Sequence, residues 1–403
     1  MTGAGIADRL DTPELYARGE QHEVWRWLRE NDPVHWRRGR DGRPGHWVVT
    51  RYRDVERVLS DYSGFTSERG TLLNLLGRPD PAAGRQLAAT DPPKHDRMRA
   101  PLQRAMTVRP LDAYADRIRL GIRALIAPLG EGGPFDFAAA MGRLPLVALG
   151  VLLALPEQDH GRLIELANMA TAEEDPEVQL PGGEQPTLSR AHRELFAYFT
   201  DLVRARVKQP GSDLVSLLAS SPVDGTAPSI GSVVSNCYSM LLGSAGTLPH
   251  VATAAVEELA RAGGYGRWAE QPELLDSGVE EALRWAAPAS NFLRYAVRDT
   301  TLGSTRIAAG EAVVAYLASA NRDAEVFADP DRFDVARRPN RHLAFGVGHH
   351  YCVGSQLARL TLRLLFQELF ELCSDVRLIA EPDRFHSRFL AGFKRMPVVG
   401  TAR

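Results

Sequence analysis

Apolar and polar positions alternate along most of this chain with a helical period. The segments 21–30 (QHEVWRWLRE) and 53–61 (RDVERVLSD) place apolar residues three and four apart, which predicts amphipathic helices. Between them, two short β-rich runs around 34–37 and 46–51 flank a Gly/Pro/Asp turn, which predicts a hairpin. Helical spacing resumes over 94–106, 112–129, 141–155, 157–171 and 188–208, and its longest run covers 229–262. A further helix is expected over 271–286, then short strands around 292–297, 300–302, 305–307 and 311–316. A turn-rich stretch over 323–350 leads into a strong helix over 352–371, and short strands close the chain.

Two segments break the pattern. Residues 62–92 are rich in Gly, Pro and Ser and predict a long loop, a feature that in a compact domain is functional or disordered. Residues 173–187 (EEDPEVQLPGGEQPT) are acidic with Pro and Gly, and are expected to be mobile. No internal repeat, low-complexity linker or domain boundary is visible. The expected organisation is one catalytic domain over 1–403, mainly α with small β-sheets.

Composition narrows the function. A chain of 403 residues with 44% hydrophobic and 24% charged residues has the make-up of a soluble globular protein able to bury a cofactor. A net charge of −2 gives no basic excess for nucleic acid or an anionic membrane, so neither is expected as a partner. The cysteines are Cys237, Cys352 and Cys373, an odd number without a Cys-x-x-Cys, which argues against a disulfide framework or cysteine-rich zinc site and fits a reducing cytoplasm. The N-terminal residues show no basic-then-apolar secretory signal, and apolar runs such as 144–155 are too short to span a bilayer. A cytoplasmic location is expected.

The segment 342–359, HLAFGVGHHYCVGSQLAR, concentrates the chemistry. A glycine-rich turn presents Cys352 just before a long helix, where the helix dipole and free N–H groups stabilise a thiolate and tune any metal it binds. Gly346, Gly348 and Gly354 let the backbone turn tightly against a flat ligand. On spacing alone, Cys352 is equally a small buried hydrophobe, a zinc ligand with His349 and His350, or a nucleophile.

The run Phe345-Gly346-x-Gly348-x-His350-x-Cys352-x-Gly354 resembles the haem-ligand signature of the cytochrome P-450 family at every fixed position. The resemblance implies that Cys352 is the axial ligand of haem b (iron protoporphyrin IX), that His350 bonds a haem propionate, and that Phe345 and Gly346 lie against the cofactor. Supporting motifs follow the family's order along nearly the whole chain. Glu281-Ala-Leu-Arg284 is similar to the family's Glu-x-x-Arg pair, whose members share a helix face. Similar tetrads start at Glu23, Glu258 and Glu381, but only Glu281 is followed about fifty residues later by Pro330-Asp-Arg332-Phe333. Arg332 is the expected third member of that structural lock, with Arg337 as second candidate. His95 and Arg99, four apart in DPPKHDRMR, and Arg294 in NFLRYAVRD are similar to the family's other propionate partners. Burying two carboxylates requires several such donors.

One departure stands out. The family shows small-Gly-x-Asp/Glu-Thr on the helix crossing the distal haem face; here the text is Gly243-Ser244-Ala245-Gly246-Thr247-Leu248-Pro249. Alignment from Glu281, with one residue deleted, puts Thr247 at the family's threonine and Gly246 at its acid. The carboxylate of the usual proton relay is absent. Ordinary hydroxylation served by water is one expectation. Oxidative coupling or cyclisation without oxygen insertion is the alternative, and a non-catalytic haem protein is a third reading, with no sensor output module in view.

Expected pocket walls are the loop 62–90, the region 157–187, the distal helix around 240–248, 289–292 and 389–392, with Ser244, Ala245, Leu248, Ser290, Asn291, Phe292 and Leu390 lining it and Thr71 and Asn74 adding polar groups. These suit a medium-sized, largely apolar organic substrate such as a natural-product intermediate. Arg97, Arg104, Arg341, Arg359 and Arg363 are expected on the cysteine side, where they would steer an acidic ferredoxin. With no flavin or iron–sulfur module in the chain, a separate ferredoxin and ferredoxin reductase are the expected electron donors for dioxygen activation.

Overall fold

A computed structural model describes residues 3–39, 42–223 and 225–403. It is mainly helical, with one five-stranded sheet and smaller ones beside it. The predicted hairpin is present: Val34–Arg37 pairs antiparallel with His46–Val49, from Val34 opposite Val49 to Arg37 opposite His46. Arg40 and Asp41 of its turn lie outside the described residues. The sheet continues through Ala312–Tyr316 and Asn291–Ala296 to Phe65–Thr66. Ala312–Tyr316 (AVVAY) is buried at every position. Its unbroken apolar run, lacking polar alternation, is what a strand covered on both faces requires.

Most predicted helices occur within a few residues of their expected ends, including Gln21–Asn31, Lys94–Ala105, Leu275–Ala286 and Ser355–Leu372. Ser355–Leu372 buries Leu357, Leu360, Thr361, Leu364, Leu365 and Glu368 at helical spacing. Buried Glu368 accepts hydrogen bonds from Arg119 and Arg123 on the neighbouring helix Ala115–Ile126. Short helices such as Pro13–Ala17, Leu214–Ser220 and Tyr265–Ala269 went unpredicted, because so few turns display no period.

The run 229–262 is two helices, Ile230–Ala245 and Leu248–Ala262, rather than one. Pro249 has no N–H for the carbonyl of Ala245, four residues back, and its ring would clash there. The chain therefore breaks at Gly246 and Thr247, with Thr247 at φ −134°, ψ −56°. The acidic stretch is not a free loop either. The helix Glu184–Lys208 starts inside it, and Asp175 accepts the N–H of His386, 2.9 Å away.

The lock assembles with one change of partner. Glu281 and Arg284 are wholly buried, and Arg284 forks onto the carboxylate at 2.7 and 2.8 Å. The third side chain is Arg337, whose Nε donates to both Glu281 oxygens at 3.1 and 3.2 Å. Arg332, favoured by the motif, is exposed and supplies only its carbonyl, which accepts from Arg284 and Arg337. Removing one member of a buried ion network costs about 3–5 kcal/mol, whereas exposed changes stay within about 0.5 kcal/mol. Arg337→Ala should therefore lower the free energy of urea unfolding by that larger amount and Arg332→Ala should barely move it. The reverse ranking would refute this assignment.

Candidate haem site and distal chamber

Cys352 stands two residues before Gly354, the N-cap of Ser355–Leu372, and its N–H donates to the carbonyl of Phe345 at 2.8 Å. Gly348 holds φ +73°, and a Cβ there would lie 2.8 Å from the Cα of Ser60, so only glycine lets the loop pass this close. Gly346, at φ +68°, makes the preceding turn. Solvent reaches Cys352. Burial dominates and raises the thiol above its ordinary value, opposed by the N–H groups of Gly354 and Ser355 and the charges of Arg99 and Arg359. Those last four all favour a thiolate, the form that binds a metal.

The four expected propionate partners converge. His95 is buried, with its ring 4.6 Å from that of His350. Its Nδ1 lies 3.1 Å from Asp96, and its buried Nε2 has no hydrogen-bond partner among the described residues. Arg294 is 5% exposed, and among the described residues its guanidinium bonds only the carbonyl of Leu293, at 2.8 Å. Burial lowers Arg294 to about 10, with the Asp91 charge opposing. Arg99 reaches the carbonyl of His349 at 3.3 Å. His350 meets Asp91 at 3.2 Å and Ser67 at 3.4 Å.

Asp91 escaped the sequence reading. Burial alone would raise its carboxyl, but hydrogen bonds from His350, Ser67 and Thr66 outweigh that and hold it at about 2. Its pairing with His350 spans 259 positions, so no local pattern carries it. Four basic side chains thus gather around two carboxylates, the already satisfied Asp91 and the exposed Asp96. This excess of donors, with an orphaned imidazole nitrogen and a sulfur backed by N–H groups, fits a flat cofactor bearing an iron and two carboxylates.

On the distal side, the Thr247 hydroxyl donates to the carbonyl of Gly243 at 2.5 Å. A Cβ on Gly246 would lie 3.1 Å from the Leu242 carbonyl oxygen and 3.2 Å from Cγ2 of Thr171. A side chain at 246 would therefore press on Thr171, which would have to give by a few tenths of an ångström. Ala245 and Leu248 are buried and Ser244 is half-buried. Leu390 is buried and bridges to Ala289, while Phe292 meets Phe389 edge-on at 6.0 Å. Ser290 and Asn291 are also fully buried, and their side chains donate to the main-chain carbonyls of Arg388 and Phe389. They brace that turn and leave only the Asn291 Oδ1 unpartnered. On the cysteine side, Arg104 and Arg341 are exposed, whereas Arg359 and Arg363 pair with Glu280 and Asp276.

Fold and site together define a haem-dependent oxidoreductase, and the comparisons with known proteins agree. The family model described as Cytochrome P450 matches residues 235–376. The chain is 34% identical to Cytochrome P450 NovI of Streptomyces niveus, over 96% of this chain and 95% of that one. It is 32% identical to linalool 8-monooxygenase of Pseudomonas putida, over 97% and 98%. Among solved structures, P450 OxyD, involved in the biosynthesis of vancomycin-type antibiotics, superposes with a TM-score of 0.86 at 34% identity, covering 97% of this chain and 99% of that one. The Mycobacterium marinum cytochrome P450 CYP268A2 in complex with pseudoionone gives 0.89 at 28%, covering 96% and 97%. The chain belongs to the cytochrome P450 family: it is a P450 monooxygenase whose cofactor is haem. No helix of the described residues is long and apolar enough to cross a membrane.

His250, one turn past the break, supports the far wall: its Nδ1 accepts the N–H of Phe393 at 3.2 Å. Burial lowers its pKa to about 3. Below the unfolded value of about 6.5, the unfolded chain binds the extra proton, so the stability this neutral imidazole contributes is present above pH 6.5 and lost as pH falls towards 3. The unfolding free energy of the wild type should thus approach that of His250→Gln by about 2 kcal/mol between pH 7 and pH 5. A gap that stays constant over that range would contradict a buried neutral histidine.

Proposed function

We propose that this monooxygenase hydroxylates a medium-sized, largely apolar natural-product molecule, with Cys352 as the axial ligand of haem b and His95, Arg99, Arg294 and His350 holding the propionates. The observation that carries the reading is the gathering of these four donors beside Cys352 with the His95 Nε2 unpartnered. Phe345 and Gly346 carry the cysteine loop against the cofactor face. When bound, haem supplies the activation of dioxygen. The chain supplies position, dryness and protons.

Thr247 is the expected proton-handling group. Its hydroxyl proton rests on the Gly243 carbonyl, which leaves the oxygen lone pairs free to accept from water or substrate. Gly246 brings no carboxylate, so protons reach Thr247 through ordered water or the substrate itself. The substrate class is supported by the apolar walls at Ala245, Leu248, Phe292 and Leu390, and by resemblance to proteins named for linalool oxidation and vancomycin-type antibiotic biosynthesis. Electrons are expected from a separate ferredoxin and ferredoxin reductase. Exposed Arg104 and Arg341 dock the donor in this reading, while Arg359 and Arg363 are engaged within the chain.

Turnover of terpene, aromatic and polyketide candidates under ¹⁸O-labelled dioxygen tests the outcome. One labelled oxygen atom in the product is expected. An unlabelled product lighter by two hydrogens would establish coupling, cyclisation or desaturation instead. Thr247→Val should keep haem and substrate binding while reducing product formed per dioxygen consumed by about tenfold or more; unchanged coupling would remove Thr247 from the proton path.

A further inference from the structure

The acidic turn after the helix His160–Thr171 carries four carboxylates, and three have cations. Glu174 pairs with Arg388, Asp175 with Lys394 at 3.2 Å, and Glu177 with Lys394 and Arg395 at 2.8 and 2.7 Å. All three cations come from the chain's closing segment, so these bridges pin the turn in place. The fourth, Glu173, is 8% exposed and has no ion pair among the described residues. Its Oε1 accepts from the Asn74 side chain at 3.0 Å, and the Asn74 Oδ1 is itself buried without a partner.

Glu173 follows the segment that packs on the break in the distal helix. Two residues before it, Thr171 packs on Gly246 at the helix break. Ala172 clusters with Phe385 and Leu390. Asn74 brings in the loop 62–92, and Tyr238, on the helix Ile230–Ala245, is close enough to interact electrostatically with the carboxylate. Two of the expected pocket walls, the loop 62–90 and the region 157–187, therefore meet at one buried carboxyl, with the distal helix next to them through Thr171 and Tyr238.

We propose that Glu173, oriented by Asn74, is the anchor for a positively charged amine on the substrate of this enzyme. The proposal deepens the monooxygenase reading above and rests on it. A buried carboxylate without a cation is costly, and a ligand that supplies the cation recovers that cost. Burial pushes Glu173 up to about 7, with the residue's own backbone N–H and Asn74 opposing the rise and Glu174 and Glu184 adding to it. Glu174 is neutralised by Arg388, Glu184 approaches Arg43 at 4.0 Å, and the Tyr238 phenol is held neutral by burial. At neutral pH the carboxyl thus sits near its midpoint, and an incoming cation draws it to the charged form. The anchor fixes one end of the substrate while the apolar walls hold the remainder, which selects the carbon presented to the iron.

The haem-loaded full chain can be titrated with 4-phenylbutyltrimethylammonium and its neutral carbon isostere, (5,5-dimethylhexyl)benzene. The quaternary nitrogen has no lone pair to ligate iron. Binding is read by the haem absorbance shift and, independently, by the rise in melting temperature. At pH 8 the wild type should prefer the cation by about tenfold or more. The preference should shrink below pH 7 as the carboxyl keeps its proton. Glu173→Gln should bind both probes alike while retaining haem and its affinity for the neutral one. Equal binding by the wild type at pH 8, a preference that ignores pH, or its survival in Glu173→Gln would overturn the anchor. The wild-type pH dependence alone decides the matter if the variant does not fold. A wild type without haem would strike at the monooxygenase reading instead, and the cation preference would then be judged by melting temperature.

Discussion

A sulfur held just ahead of a helix N-terminus is the constraint around which this molecule is arranged. To keep Cys352 available as a thiolate, the backbone must aim N–H groups at it from Gly354 and Ser355, and the loop must approach Ser60 so closely that position 348 admits only glycine. The helix behind, Ser355–Leu372, is itself fixed by a buried apolar face and by Glu368 clasped between Arg119 and Arg123. The Glu281–Arg284–Arg337 lock fastens the turn-rich stretch that leads into the cysteine loop. Rigidity there would let Cys352 serve as a single protein ligand to the iron.

The opposite face is built for adaptability. Pro249 breaks the distal helix, Gly246 yields its space to Thr171, and Thr247 turns its hydroxyl back on Gly243. Position 246 carries no acid, while two residues after Thr171, which packs on Gly246, Glu173 is a buried carboxyl with no ion pair among the described residues. Where the first would serve proton delivery, the second serves recognition. A monooxygenase that relies on substrate and water for protons benefits from a substrate held in one pose.

How much of this the sequence displays depends on range. The haem-ligand signature is ten consecutive residues, and Glu281 and Arg284 are a turn apart, so both were legible, as were the hairpin and most helix spans. Arg332 and Arg337 were not separable, because they lie in irregular backbone where no period says which side chain points inward. The break at 246–247 was hidden because a proline in a helix's first turn reads like one inside a longer helix. The polarity of Ser290 and Asn291 suggests pocket groups, yet both are occupied by carbonyls about a hundred residues away. Asp91 and Glu173 acquire meaning only through such distant partners.

The most direct test of the account is the absorbance of the reduced, carbon monoxide-bound protein, compared between the wild type and Cys352→His. The wild type should give the strongly red-shifted Soret band of thiolate-ligated haem, and Cys352→His should move it to the position of an imidazole-ligated carbonyl complex. A wild type that already shows the imidazole spectrum, or a variant whose band does not move, would contradict ligation by Cys352.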